Sequence, residues 1–507
     1  MTAEVDRYSA GDDRSSDESR LLHVLNDWSV GDAPLYQQLA AAIRRGIEEG
    51  ALPAGSTLPA ERRLAAVLAV SRATVVAAYD QLRGEGAVES RRGSGTRIAR
   101  TARATRLPGG DGRVPGGHSA QLFQRLIDGP GSVLSLASAA GSADSAVPAA
   151  LDEVVRFDLA DAMLDPGYQP HGLARLREVI AGHLTGLGLP STPNQILVTS
   201  GAHQAIDLVA QLYLRPGARV AVEAPGWPAC YDVFRAAGAT LVPVPIDQNG
   251  VRPEALAKIL SESPIDLVYL MPTYHNPTGA LLSAARRRRI VELAAEYEVV
   301  VVTDDTLSGV SLGHDVPPPL PAFAAAAGDR PVTLIQLGSL SKSVWGGLRV
   351  GWARTSADVI SRLARRKALS DLGSPIIDQL IAARIVPGLD ELVERRVPER
   401  QARLETIESL LTEHLPSWRW RTPVGGPSLW VELPDVDAAI FAQVALRHGV
   451  EMIPGSSMDV SGGHDSYFRM PYCFPDEFLT EVVRRFVAAW AELQRHGPWE
   501  PRLRPVV

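Results

Sequence analysis

The chain has 507 residues, 45% of them hydrophobic and 21% charged, and a mean hydropathy of zero; at roughly 150 residues per domain this predicts two or three folded domains. That balance excludes a disordered chain, no apolar run approaches the ~20 residues of a membrane span, and the opening MTAEVDRYSAGDD has no apolar signal region, so a cytoplasmic protein without membrane contact is expected. Two cysteines, Cys230 and Cys473, are too few for a disulfide framework or a cysteine zinc site, no metal is expected, and a net charge of −7 argues, as an average, against nucleic acid.

The average conceals a division. Residues 1–32 carry three Arg against eight Asp and Glu, show no apolar period, and read as a flexible acidic tail. Residues 33–100 carry ten Arg against six Asp and Glu. There Leu35, Leu39, Ile43 and Ile47 repeat at four-residue spacing, one stripe of an amphipathic helix that Gly50 and Pro53 end. A second helix after Pro59 turns Leu64, Val67 and Leu68 inward. After Ala69 and Val70, Ser71 is a good N-cap for a third helix with Val75, Tyr79 and Leu82 on one side. Gly84 and Gly86 stop it, and residues 87–90 and 96–98 flank a glycine-bearing turn as a hairpin. This order is the plan of a winged helix-turn-helix.

Residues 101–132, with Leu107-Pro108-Gly109-Gly110 and Val114-Pro115-Gly116-Gly117, have the composition of a flexible tether. Beyond it, strand-like runs at 196–199, 219–222, 241–244, 267–271, 299–303, 333–337 and 349–352 alternate with helix-length segments, which predicts an α/β domain over 133–507 with a largely parallel, doubly covered sheet. From about residue 355 a long Arg- and Leu-rich helical stretch, short strands at 418–420, 429–432 and 467–470, and a helix from Glu477 suggest a smaller α+β subdomain.

In a helix-turn-helix the second helix points its N-terminus at base edges. Ser71, Arg72 and Thr74 stand there, Arg62 is placed to hold the phosphate backbone, and Arg91 and Arg92 at the hairpin tip would reach a neighbouring groove. The plain alternative is a solvated helix face. The segments Pro34-Leu35-Tyr36-Gln37-Gln38-Leu39, Leu58-Pro59-Ala60-Glu61-Arg62, Val70-Ser71-Arg72-Ala73-Thr74-Val75 and Gly93-Ser94-Gly95-Thr96 resemble, in order and spacing, the head of GntR-type bacterial regulators, which implies a double-stranded DNA operator as partner.

Four features of the large domain make chemical sense together. Gly338-Ser339-Leu340-Ser341-Lys342, with Arg349 seven residues on, joins a lysine able to attack an aldehyde to groups suited to a phosphate. Thr199-Ser200-Gly201-Ala202-His203 sits where a strand meets a helix, so its amides can bind an anion. Asp304 ends an apolar strand, where a carboxylate can pair with a protonated pyridine nitrogen. His275-Asn276-Pro277-Thr278-Gly279 offers an amide donor. Singly, the first reads more readily as a surface lysine, the second as an ordinary strand-to-helix turn and the last as a turn, and Asp305 beside Asp304 as a helix cap or solvated turn residue.

Jointly they resemble fold type I, class I aminotransferases, which bind pyridoxal 5'-phosphate, over about residues 133–495. The resemblance implies Lys342 as the Schiff-base lysine, Asp304 as partner of the pyridine nitrogen, and Asn276 on the ring oxygen. It implies Ser200, Gly201, Ala202, Ser339 and Arg349 as the phosphate cup, Trp227 as the stacking aromatic, and Arg469 as the grip on an amino acid's α-carboxylate. It implies Tyr168 as a residue that reaches the phosphate of the other subunit, hence a homodimer. One departure stands out: a tyrosine usual two or three residues after the Asp304 position is replaced by Thr306, Leu307 and Ser308. His203 also stands where many relatives have glutamine.

Head, tether and aminotransferase-like domain in this order resemble the MocR/GabR-type regulators. The expectation is a transcription regulator that senses an amino acid, amine or vitamer. The rival reading is a working aminotransferase with an accessory DNA-binding head, and a third is a domain that no longer binds the cofactor.

Overall fold

The computed structural model describes residues 21, 24–25, 28–29, 33–48, 50–91, 95–99 and 133–496. In the head, helix α1 (Leu35–Glu48) buries Leu39, Ile43 and Ile47 against α2 (Glu61–Val67) and α3 (Arg72–Gly84), whose Leu64, Val75, Tyr79 and Leu82 complete one core. The wing is three-stranded, not the expected two. Strand β3 (Gly95–Ile98) pairs antiparallel with β2 (Val88–Arg91) and also with β1 (Thr57–Leu58), ahead of α2. The expected tail needs a correction as well. Leu21, Leu25 and Trp28 are buried in this same core, because they supply apolar area that the small head otherwise lacks. The rest of residues 1–32 and the tether at 101–132 lie outside the described residues.

After the short strand β4 (Leu134–Ser135), which pairs parallel with β15 (Val450–Glu451), the large domain is built on an eight-stranded sheet. Its strands are β5 (Ile196–Thr199), β6 (Arg219–Ala224), β7 (Thr240–Asp247), β8 (Gly250–Val251), β9 (Leu267–Leu270), β10 (Val300–Asp304), β11 (Leu334–Ser339) and β12 (Gly351–Arg354), and the order is β5-β12-β11-β10-β9-β6-β7-β8. The parallel core runs from β11 to β7, while β12 lies antiparallel between β11 and β5. Near-continuous apolar strands such as Ile196 to Val198 are buried, as a sheet covered on both faces requires. One covering helix, α4 (Ala202–Tyr213), starts directly after β5.

The smaller subdomain begins later than residue 355. Helix α5 (Ala357–Asp371) buries Val359, Ile360 and Leu363 with Leu197 and Ala353, and α6 (Ile376–Ile385) packs with Val198 and Trp352. Both therefore cover the large sheet, since their apolar faces match β5 and β12. The separate core gathers on α7 (Val397–His414), α8 (Ala438–Arg447) and α9 (Asp476–His496) around Trp418 and Phe468. These pack on the sheet β13-β14-β17-β16, formed by Arg419–Trp420, Ser428–Glu432, Tyr467–Pro471 and Ile453–Pro454.

This subdomain also carries the head. Arg447 at the end of α8 donates from Nη1 to the carbonyl of Leu68 and from Nη2 to that of Ala69, each at 3.0 Å. Trp28 Nε1 donates to Gln443 at 3.2 Å. Leu68 and Ala69 form the turn between α2 and α3, and Ala69 holds a φ of 48°.

Candidate functional site

On the head, Ser71 caps α3, accepting from the Thr74 amide at 3.1 Å, with the two hydroxyls 2.8 Å apart. Arg72 is exposed beside them and pairs with Glu61 of α2 at 2.9 Å. Arg62 is exposed on α2. Arg91 ends β2, its side chain outside the described portion, and Arg92 lies outside the described residues. The structure thus brings Ser71, Arg72 and Thr74 together at the start of α3, with Arg72 joined to Glu61 of α2.

In the large domain the strand register converges at one end of the sheet. Gly351 lies opposite both Thr199 and Ser339, so the ends of β5 and β11 meet across β12. The absence of a side chain at Gly351 permits this approach: a Cβ there would lie 2.7 Å from the Gly201 carbonyl carbon. Gly201 has a φ of 101°, and a Cβ on it would meet the Arg349 guanidinium at 2.9 Å. Small residues therefore let β12 and an arginine approach the N-terminus of α4 closely, a setting for an anion. Arg349 itself, at a φ of 51°, donates to the Ser200 carbonyl at 2.6 Å. Ser339 Oγ lies 2.9 Å from Ser341 Oγ. The Ser200 amide donates to the Gln204 side chain, which bonds Asp371 in turn; that partner was not read from the sequence.

Asp304 is buried at the end of β10. One carboxylate oxygen accepts from Tyr269 Oη at 2.7 Å and the other from the Thr306 amide at 2.9 Å. Tyr269 belongs to the neighbouring strand β9, a non-local contact that sequence reading missed. The Thr306 hydroxyl, in the segment that replaces the usual tyrosine, is buried without a partner. His203, on the first turn of α4, is pushed down by burial and feels both Arg349 and Asp304. Asn276 is half-buried in the loop where His275 Nδ1 lies 2.9 Å from Thr278 Oγ1.

Lys342 reaches the carbonyl of Ala139 at 3.0 Å. Burial pushes its amine down to about 8, so an appreciable neutral, nucleophilic fraction exists near neutral pH. Arg469 on β17 is fully buried over the Trp227 ring, 5.2 Å from its centroid, and donates to the Leu136 and Ala137 carbonyls. Its Nε has no partner. Burial lowers its guanidinium to about 10, so it stays cationic at neutral pH. A buried cation with an unused donor is suited to a carboxylate. Tyr168, by contrast, is 71% exposed in the single chain.

Residues 137–486 match the model of the aminotransferase class I and II family, and residues 35–98 match that of the gntR family of bacterial regulatory proteins. The uncharacterized HTH-type transcriptional regulator YisV of Bacillus subtilis is 30% identical over 89% of this chain and 95% of its own length. The chain belongs to the MocR-type regulators of the gntR family. Another relative of this MocR-type regulator is the HTH-type pyridoxine biosynthesis transcriptional regulator PdxR of Corynebacterium glutamicum, 34% identical over 67% of this chain and 69% of that protein. Among solved structures, α-aminoadipate aminotransferase LysN of Thermus thermophilus, complexed with N-(5'-phosphopyridoxyl)-L-leucine, superposes with a TM-score of 0.67. It is 28% identical and covers 75% of this chain and 97% of that one. The fold is that of a type I aminotransferase behind a winged head, and the cofactor it implies is pyridoxal phosphate. Among the described residues no helix is long and apolar enough to cross a membrane.

Proposed function

We propose that this MocR-type regulator binds an operator through its head and uses the cofactor-binding domain to sense a small amine, amino acid or vitamer. The observation that carries the reading is the buried, pKa-lowered Lys342 in a chain whose DNA-reading turn is held by the same folded body, through Arg447. When bound, pyridoxal phosphate supplies an aldehyde that captures primary amines and a ring that accepts electron density. Lys342 would hold that aldehyde. Asp304 would pair with the ring nitrogen, kept in place by Tyr269 and the Thr306 amide. Asn276 would face the ring oxygen and Trp227 the ring plane. The amides at Gly201 and Ala202, with Ser200, Ser339 and Arg349, would take the phosphate; the Arg349 guanidinium packed so close to Gly201 that a Cβ there would lie 2.9 Å from it supports this fit. Arg469 would take an α-carboxylate through its unused Nε.

A homodimer is part of the proposal, with Tyr168 completing the partner's site. Its support is a run of exposed apolar side chains, among them Phe157, Met163, Leu164 and Tyr168, continued by Leu372 and Ile377. Close approaches of Gly373 to Gln169 and of Gly167 to Ile376 join these segments. Paired heads then read paired half-sites, and an effector shifts DNA binding only if it binds two arrangements of the dimer unequally.

The test is visible absorbance of the purified protein with added pyridoxal phosphate, which the wild type shows and Lys342→Ala lacks. Incubation with amino and keto acids separates the enzyme alternative: steady multiple turnover supports an aminotransferase, and a single turnover or none supports the sensor.

A further inference from the structure

Behind Lys342, at the junction of the two subdomains, lies a cleft of ≈ 40 Å³, room for about three water-sized groups. Helix α7 and the residue before it line one wall with Arg396, Arg400 and Arg403, at spacings that put all three on one helix face. The opposite wall holds Lys342, Tyr472 and Cys473. Arg396 donates to the Ser343 carbonyl at 3.2 Å and Arg403 to the Cys473 carbonyl at 3.3 Å. Arg400 is 7% exposed, uses Nη1 on the carbonyls of Ser311 and Val393, and leaves Nη2 buried without a partner. The counter-charge is thin: Glu399 pairs with Arg403 at 2.6 Å and Arg396 at 3.6 Å, and among the described residues no carboxylate lines the cleft. Three guanidinium groups against one half-exposed carboxylate, around a space of this size, form a site for an anion.

Its position relates it to the sensor. Cys473 lines the cleft with Lys342, and its carbonyl accepts from Arg403; burial raises its thiol, which also feels the positive charge of Lys342 and Arg469. We infer that the effector is an amino acid with an acidic side chain, whose distal carboxylate is taken by Arg396, Arg400 and Arg403. This inference rests on the reading of Lys342 and Arg469 as the amino-acid site.

The test is calorimetric titration of the full-length, pyridoxal phosphate-loaded protein with L-aspartate and L-glutamate against L-asparagine and L-glutamine. The acids are expected to bind at least about tenfold more tightly than their amides, the scale of a charge-assisted hydrogen bond. Arg396→Gln and Arg403→Gln should abolish that preference; Arg400 is left alone because it also holds two carbonyls. Both variants should keep the wild-type affinity for the amides, so that loss of the preference reports the arginines and not general damage to the fold. Equal affinity for acid and amide in the wild type, or a preference that survives both substitutions, overturns the inference. Operator affinity measured on the same samples tests the regulator separately: acid-selective binding without any change in DNA affinity upholds the arginine site and contradicts the sensor.

Discussion

Arg447 Nη2 lies 3.0 Å from the carbonyl oxygen of Ala69, so a side chain of the smaller subdomain donates into the turn of the DNA-reading helices. Glu492 holds the same guanidinium at 2.8 Å and also meets His448 at 2.8 Å. The contact gives rearrangements of the subdomain a direct route to α3. Arg447→Ala is expected to leave cofactor uptake unchanged while lowering the effector-induced change in operator affinity at least about fivefold, within the usual range of coupling energies. Fluorescence anisotropy on operator DNA measures it, and an unaltered effector response contradicts the route.

Arg72 pairs with Glu61 on an exposed edge. Such pairs are worth about 0–1 kcal/mol, less than the ~1–3 kcal/mol of a good base contact, so DNA can draw Arg72 away. Arg72→Ala should weaken specific binding by about 1–3 kcal/mol, and Glu61→Gln should strengthen it modestly. Footprinting of both variants decides, and an unchanged footprint for Arg72→Ala removes that residue from the interface.

The lysine makes a pH prediction. With Lys342 lowered to about 8, its neutral fraction is about one half at pH 8 and about one hundredth at pH 6. The rate of colour formation on adding pyridoxal phosphate to cofactor-free protein should therefore rise about tenfold per unit below pH 8 and level off above it. A rise that continues to pH 10 contradicts the burial argument.

Stability has its own titration. Glu223 is fully buried, accepts from the Met271 amide, and is pushed by burial from 4.5 up to about 8. His275, 3.6 Å away, is pushed down to about 3 and is neutral above that pH. Because the folded value of Glu223 exceeds the unfolded one, the folded chain keeps a proton that the unfolded chain has lost. Stability contributed by this group falls as pH rises from about 4.5 to about 8. Glu223→Gln removes that slope, so urea midpoints at pH 5 and pH 8 should differ less in the variant than in the wild type.

What the sequence disclosed follows the range of the interactions. The stripes Leu39, Ile43, Ile47 and Val75, Tyr79, Leu82 recur at helical spacing within one element, and the head core contains them. Strand β1 is only two residues long and exists through its pairing with Arg97 and Thr96, so no local pattern announces it. The strand ends carrying Thr199, Asp304 and Ser339 were legible as motifs, but not that Gly351 draws two of them together. Tyr269 on Asp304 and Gln204 on Ser200 depend on strand and helix neighbours. Helix α5 looked like the start of a new subdomain, since which sheet an apolar face covers is not encoded in its period.

The central claim is that ligand chemistry at Lys342 governs DNA binding by the head. The most direct measurement is operator affinity of wild type and Lys342→Ala, with pyridoxal phosphate present, across a titration of amino acids and amines. The account predicts an effector-dependent change of at least about fivefold in the wild type and none in Lys342→Ala. Equal responses in both proteins, or no response to any ligand in the wild type, would contradict it.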